Sequence, residues 1–319
     1  MDFSIVVIYL GFTLAAYSVI GNDTIQTLGT FLSSNERKKW WVLWLYAGGI
    51  LTFTLIYGYI THDGDVSYGR LEKYPMPNPF SWYYILPPII LMILTRTGIP
   101  VSTSFLILTF FNQKNLTDMV LKSVSGYAVS FVAAIILYLA ISKVLEKKFI
   151  ENPITAKENQ IWTALQWGST GFLWSQWLIQ DFANIYVYLP RQLELWQLIF
   201  SLIIILVMLA FIIAKKGGAI QGIIKSKTNT VDLRSATLID FTYGIILFYF
   251  KELNNVPMST TWVFIGILAG REIALNYMLR KNEPRRAMFS NLGMDLFKVF
   301  IGLVVSIVLV YAVKYLATL

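Results

Sequence analysis

The feature that most constrains this chain is a succession of apolar runs long enough to cross a lipid bilayer. A membrane helix needs roughly 20 predominantly apolar residues, because the hydrocarbon core is about 30 Å thick and a helix rises about 1.5 Å per residue. Such runs lie near residues 4–20, 40–61, 80–95, 119–144, 161–179, 196–214, 236–250 and 290–317. A water-soluble core cannot hold them all, so the chain reads as an all-α polytopic membrane protein. The 14% of charged residues agrees, since soluble domains carry about 25%. Two further stretches, 100–111 and 257–279, are apolar but open on a proline followed by hydroxyls, Ser102-Thr103-Ser104 and Ser259-Thr260-Thr261. Such a start predicts a helix whose N-terminus lies inside the protein, with its free N–H groups and hydroxyls turned toward something polar.

The chain has no Cys and one His, His62, which excludes thiolate chemistry, disulfides and Cys/His metal sites. Any bound cation must therefore be held by oxygen. The net charge of +8 sits in short segments between apolar runs, where basic residues act as cytoplasmic anchors. No nucleic-acid partner is implied; the lipid bilayer is. The N-terminus has Asp2 and no Lys or Arg before its apolar run, unlike a cleaved signal peptide, and reads as the first membrane helix.

The two halves carry the same features. The first apolar run is followed by a polar break, Gly21-Asn22-Asp23-Thr24-Ile25-Gln26-Thr27-Leu28-Gly29-Thr30, and the fifth by Gln180-Asp181-Phe182-Ala183-Asn184-Ile185-Tyr186. Asp23 precedes Pro100 by 77 positions, and Asp181 precedes Pro257 by 76. If each Pro–hydroxyl segment crosses once, each half crosses five times, and an odd count inverts the second half. With the N-terminus outside, Glu36-Arg37-Lys38-Lys39, then Lys143, Lys147, Lys148 and Lys157, then Lys215, Lys216, Lys225, Lys227 and Arg234, and finally Arg280, Lys281, Arg285 and Arg286 all fall inside. Asp63, Asp65 and Glu72 fall outside. The expectation is an inverted-topology repeat of about five plus five crossings, residues 1–158 and 159–319, in a single membrane domain with broken helices meeting near the midplane.

A carboxylate within a membrane costs about 2.5–3.5 kcal/mol on insertion scales, so Asp23 and Asp181 need a compensating partner, for which a cation or proton is the economical choice. The structural alternative is that each caps a helix N-terminus. Recurrence in both halves favours a site, because inverted-repeat transporters bind substrate and ions where broken helices meet. The hydroxyl clusters Ser102, Thr103, Ser104 and Ser259, Thr260, Thr261, on two helix starts, suit a tetrahedral oxyanion between them. Their structural alternative is hydrogen bonding between neighbouring helices.

These residues resemble the inorganic phosphate transporter family. Gly21 through Thr30 is similar to that family's Gly-x-Asn-Asp-Val-Ala-Asn-x-x-Gly-Thr signature, with Gln26 in place of the second Asn. In the second half Asp181 and Asn184 match, Gln180 replaces the first Asn, and Tyr186 to Tyr188 replace small residues. Val256-Pro257-Met258-Ser259-Thr260-Thr261 resembles Pro-Val-Ser-Thr-Thr-His, with Trp262 where His is usual, and Ile99-Pro100-Val101-Ser102-Thr103-Ser104 is its first-half counterpart. The resemblance follows the repeat plan along essentially the whole chain, with its specific content in four short motifs. It implies a secondary transporter of phosphate working by alternating access. Asp23, Asp181, Gln26 and Gln180 would handle sodium or a proton, with Asp23 and Asp181 as the sodium ligands. The hydroxyls with Asn22 and Asn184 would hold the anion. The bulky Ile185, Tyr186, Val187 and Tyr188 leave sulfate or another oxyanion as the alternative cargo.

Among other charged residues, Arg96, Arg191 and Arg271 flank the motifs and are able to pair with an anion; an Arg at the end of a span more often reaches for the interface, the expected role of Arg191. Asp240, Lys251 and Glu252 share one run, where local pairing is the simplest account. The competing classes are an uncoupled anion channel, with flux indifferent to ion gradients, and a membrane enzyme. Against the enzyme stand the single His, the absent Cys and the lack of a carboxylate cluster in one loop. No cofactor is implied beyond the coupling ion, a homo-oligomer is compatible, and the short loops fit a prokaryotic inner membrane.

Overall fold

The computed structural model describes residues 3–97, 101–141, 154–216, 233–253, 258–278 and 285–316, and every regular element among them is helical. In chain order these are α1 (Phe3–Ser34), α2 (Trp40–Thr61), α3 (Leu86–Arg96), α4 (Thr103–Phe111), α5 (Leu116–Ile141), α6 (Ala156–Asp181), α7 (Ala183–Tyr186), α8 (Leu195–Ala214), α9 (Leu233–Leu253), α10 (Thr260–Met278) and α11 (Arg285–Leu316). Helices are what lipid demands of such runs, because each backbone group must be satisfied within its own segment. Their starts are written locally. Thr155 and Glu158 form a capping box before α6, and Pro87 and Pro88 sit in the first turn of α3, where a missing N–H costs nothing.

Six helices among the described residues are long and apolar enough to cross a membrane. The outer surface is apolar, whereas carboxylates and amides lie within: Phe53, Ile60, Ile136 and Val207 are exposed, while Asn22, Asp23, Asp181, Asn184 and Asp240 are buried. Only a hydrocarbon surround makes that distribution favourable. Trp40, Trp41, Trp82 and Trp196 stand half exposed at helix ends, as in an interfacial aromatic belt. The protein is an integral membrane protein.

The contacts give the helices their sense. Tyr188 packs on Gly11 and donates to the Tyr84 carbonyl (2.9 Å), whereas Thr95 donates to Asn22 Oδ1 (3.4 Å), so the segment from Tyr84 into α3 runs parallel to α1. Val101, just before α4, lies at the Asn22 level, its carbonyl accepting from Asn22 Nδ2 (2.9 Å). Phe111, the last residue of α4, is back against Tyr84 and Tyr188, with ring centroids 5.0 and 5.1 Å away. Thus α3 and α4 form a hairpin that enters and leaves at one end of the bundle. A second hairpin comes from the other end. In it α9 runs parallel to α6, with Asp240 at Thr170 and Gly244 against Phe172 and Leu173. Helix α10 then returns along α5, Val263 at Gly126, Gly266 at Ser130 and Arg271 over the Tyr138 ring.

Two expectations are corrected here. The polar break at 21–30 does not interrupt the first helix, which continues to Ser34. Its polar side chains find partners in place, Asn22 on the Val101 carbonyl and Thr27 on the Asp23 carbonyl, so the backbone has no reason to open. The break after the fifth run is real: α6 ends at Asp181, α7 lasts four residues, and an irregular segment follows to Leu195. The second correction concerns the crossings. With 11 and 9 residues, α3 and α4 reach about 17 and 14 Å, too short to span, and the α9–α10 hairpin likewise returns to its own end. Each Pro–hydroxyl segment is therefore the returning arm of a hairpin with its tip inside the bundle, not a crossing in its own right. Pro100, Pro257, Lys143, Lys147, Lys148, Lys225, Lys227, Arg280 and Lys281 lie outside the described residues.

Arg191 does not reach for an interface. Its Nε and Nη2 donate to the Tyr74 carbonyl (3.0 and 2.7 Å), and Nη1 donates to the carbonyls of Val187 and Leu189 (3.1 and 2.8 Å). Burial lowers this guanidinium to about 10, opposed by the Asp65 carboxylate, so it stays charged at neutral pH. Arg191→Ala strands three carbonyls and is expected to cost roughly 3 kcal/mol, read as a melting temperature several degrees lower in detergent. Arg191→Lys should recover only part of it, because a point ammonium cannot serve the same fork.

Candidate functional site

The tips of the two hairpins meet inside the bundle, against the middle of α1 and the end of α6. At each tip a serine caps the following helix: Ser102 Oγ accepts from Phe105 N and Ser259 Oγ from Trp262 N, both at 3.3 Å. Each tip then reaches across to the other. Ser104 Oγ, which shares its one proton with Asp181, lies 3.5 Å from the Met258 carbonyl, and Thr261 Oγ1 donates to the Val101 carbonyl (3.3 Å), so each tip touches the other.

The carboxylates stand beside this junction. Asp23 accepts from Asn22 Nδ2 on Oδ1 (2.6 Å) and from Thr103 Oγ1 on Oδ2 (2.7 Å). Asp181 Oδ1 accepts from Asn184 Nδ2 (2.9 Å) and Ser104 Oγ (3.3 Å), with Thr260 adjacent. Asn184 Nδ2 also donates to Thr103 Oγ1 (2.9 Å), so one chain of hydrogen bonds links the two acids through a residue of the first hairpin. Asp23 and Asp181 are 1% and 0% exposed. Ten of the twelve residues singled out from the sequence are thus brought together: Asn22, Asp23, Ser102, Thr103, Ser104, Asp181, Asn184, Ser259, Thr260 and Thr261. Gln180 donates to the Leu247 carbonyl (2.8 Å), which turns its amide toward α9. Gln26 is buried, with Nε2 unpartnered.

The leftover valences are informative. Asp181 Oδ2, Asn184 Oδ1 and Gln180 Oε1 are buried and accept no hydrogen bond. Native proteins rarely leave buried acceptors unmet, and these are three oxygens on five consecutive residues. A positive charge satisfies such oxygens; another hydrogen-bond acceptor does not.

Cations unread in the sequence also come close. Arg70, in the segment after α2, and Lys122, on α5, are 3% and 8% exposed. Arg70 acts electrostatically on both Lys122 and Asp181, and Ser123, next to Lys122, accepts from Ser259 N (2.8 Å). Charge within an apolar helix was the available signal for Lys122; nothing local marked Arg70. Of the arginines that were singled out, Arg96 is exposed one residue beyond Thr95, Arg271 stacks on Tyr138, and Arg191 holds carbonyls. Asp240 is not paired within its own run. It accepts from Thr30 on α1 and Thr170 on α6, both at 2.5 Å.

Opposed hairpins meeting at a buried polar junction define the architecture of this all-helical membrane protein. Among solved structures the chain superposes on one titled the sodium-dependent phosphate transporter, with a TM-score of 0.66 and 14% identity over 99% of this chain and 100% of that one. That likeness is one of fold. No protein-family model matches the sequence, and no curated protein does.

Proposed function

We propose that the protein is a secondary active transporter that carries an inorganic oxyanion, phosphate, together with sodium or protons. The observation that carries this reading is the pair of unmet oxygens on Asp181 and Asn184 within a cluster that holds two buried carboxylates. An oxyanion brought to Ser102–Ser104 and Ser259–Thr261 would be repelled by Asp23 and Asp181 until a cation or proton neutralised them. That repulsion is the physical basis of coupling. Arg70 and Lys122 supply attraction on the other side of the junction.

Residues 1–158 and 159–319 act, in this reading, as inverted repeats. Matched packing supports it: α1 lies on α3 as α6 on α9, α1 on α8 as α6 on α2, and α4 on α11 as α10 on α5. Hairpins entering from opposite ends give alternating access a simple form, each arm closing the path from its own side.

The test is uptake of labelled phosphate, and in parallel sulfate, into proteoliposomes with and without an inward sodium or proton gradient. Saturable phosphate uptake that follows one gradient is the expected result. Sulfate uptake alone reassigns the cargo, and flux indifferent to both gradients makes the protein a channel. Transport of neither anion overturns the reading.

A further inference from the structure

Asp240 lies outside the tip cluster, is 1% exposed, and is clasped by hydroxyls from two other helices: Thr30 on Oδ1 and Thr170 on Oδ2. These hydroxyls depart from their neighbours' habit. In α1, Thr13, Ser18, Thr27 and Ser34 each donate to the carbonyl four residues back, and Thr163 does so in α6. Thr30 and Thr170 instead turn outward to the carboxylate. Helices α1 and α6 are those that carry Asp23 and Asp181, and α9 is an arm of the second hairpin.

We propose that Asp240 is a second proton-binding site, separate from the hairpin-tip cluster, and that its protonation releases α9 from α1 and α6. An ionised carboxylate in an apolar interior is costly unless it takes up a positive charge. A proton suits this place better than an alkali cation, which needs several oxygens around it, whereas Asp240 is met by two hydroxyls that already spend their protons on it. A proton needs no cavity: once on Asp240, it becomes a donor itself, and one threonine rotates to accept it or returns to its own helix. The clasp thereby loses the charge assistance of an ionised acceptor, and where the threonine turns back to its own helix it loses a bond as well, without any backbone change.

Polar residues continue toward the bundle end that bears Arg37, Lys38 and Lys39. One turn beyond Thr30 and Thr170, Gln166 donates to Ser34 Oγ, and Asn35 Nδ2 donates to Gln166 Oε1 (2.9 Å). These give a proton a polar approach from that end. The other charged groups on the elements around α9 are Asp23 on α1, Asp181, Lys157 and Glu158 on α6, Asp118 and Lys122 on α5, Arg271 and Glu272 on α10, and Arg234, Lys251 and Glu252 on α9 itself. Tyr46 on α2 is within electrostatic reach of Asp240.

This proposal goes beyond the transport reading and is tested without transport. Infrared difference spectra of the purified full-length protein, titrated with acid, should show a carboxylic C=O band that is lost in Asp240→Asn and persists in Asp181→Asn. In Thr30→Val and Thr170→Val, which keep the acid and remove one donor, the band should shift in frequency and in midpoint. A spectrum unchanged by Asp240→Asn over the whole range overturns the proposal, as does displacement of the band by sodium at fixed pH. If proteoliposomes carry no anion while the band behaves as described, the transport reading fails and this one stands.

Discussion

Asp181→Asn is expected to cut cation-driven uptake sharply and to leave a folded, monodisperse protein. The substitution is isosteric, and the new side chain still offers an oxygen to Asn184 Nδ2 and Ser104 Oγ. What disappears is the charge, together with Oδ2, which accepts no hydrogen bond. An amide there places a donor on the side of the unmet Asn184 oxygen, so the melting temperature should hold or rise. Uptake should fall by roughly 100-fold at limiting cation, the equivalent of losing one charge-assisted contact of about 2–3 kcal/mol. Asp23→Asn is expected to behave differently. Both oxygens of Asp23 already accept from donors, Asn22 and Thr103, so an amide nitrogen there meets a donor, and stability falls along with uptake. Wild-type, gradient-dependent uptake by folded Asp181→Asn would remove Asp181 from the coupling role.

The membrane character and the paired motifs were legible because they depend on local composition: apolar length, Ser and Thr at helix starts, and Asp within apolar sequence. What could not be read is where the chain turns back. Residues 86–96 are as apolar as a true span, and only their contacts with Gly11-level and Asn22-level neighbours show that they descend and return. Asn22 and Asp23 look like a helix break when their partners are unknown; with the Val101 carbonyl and Thr103 in place, the helix continues through them. Asp240 shows the same limit. Its partners, Thr30 and Thr170, are 210 and 70 residues away in sequence, so local pairing among Asp240, Lys251 and Glu252 was the simplest account a linear reading offered. Arg191 read as an interfacial anchor because the carbonyl of Tyr74, 117 residues away, carries no sequence mark.

Gly270→Ala should unfold the protein at a markedly lower temperature, although alanine is the better helix former. Gly266 and Gly270 form a small-residue stripe, spaced by four, along which α10 lies directly on α5. A Cβ on Gly270 would stand 2.3 Å from the Phe131 carbonyl oxygen and 2.9 Å from Ala134 Cβ. The first of these is backbone in the middle of a helix and cannot swing aside, so the helices must separate. Overpacking of this kind costs about 1–3 kcal/mol or more, outweighing the gain of up to about 1 kcal/mol from helix propensity. Gly168→Ala on α6 is the matched control, since its Cβ meets nothing within 4 Å and only the propensity gain remains. Opposite shifts of the two melting temperatures in one detergent are therefore expected, and equal shifts would refute the close α5–α10 contact. The effect should extend to transport. Helix α10 begins at Thr260, beside Asp181, and its neighbour Thr261 holds the Val101 carbonyl of the opposite hairpin. Moving α10 off α5 therefore pulls one hairpin tip away from the other, and uptake by Gly270→Ala should fall even at temperatures where the variant is fully folded.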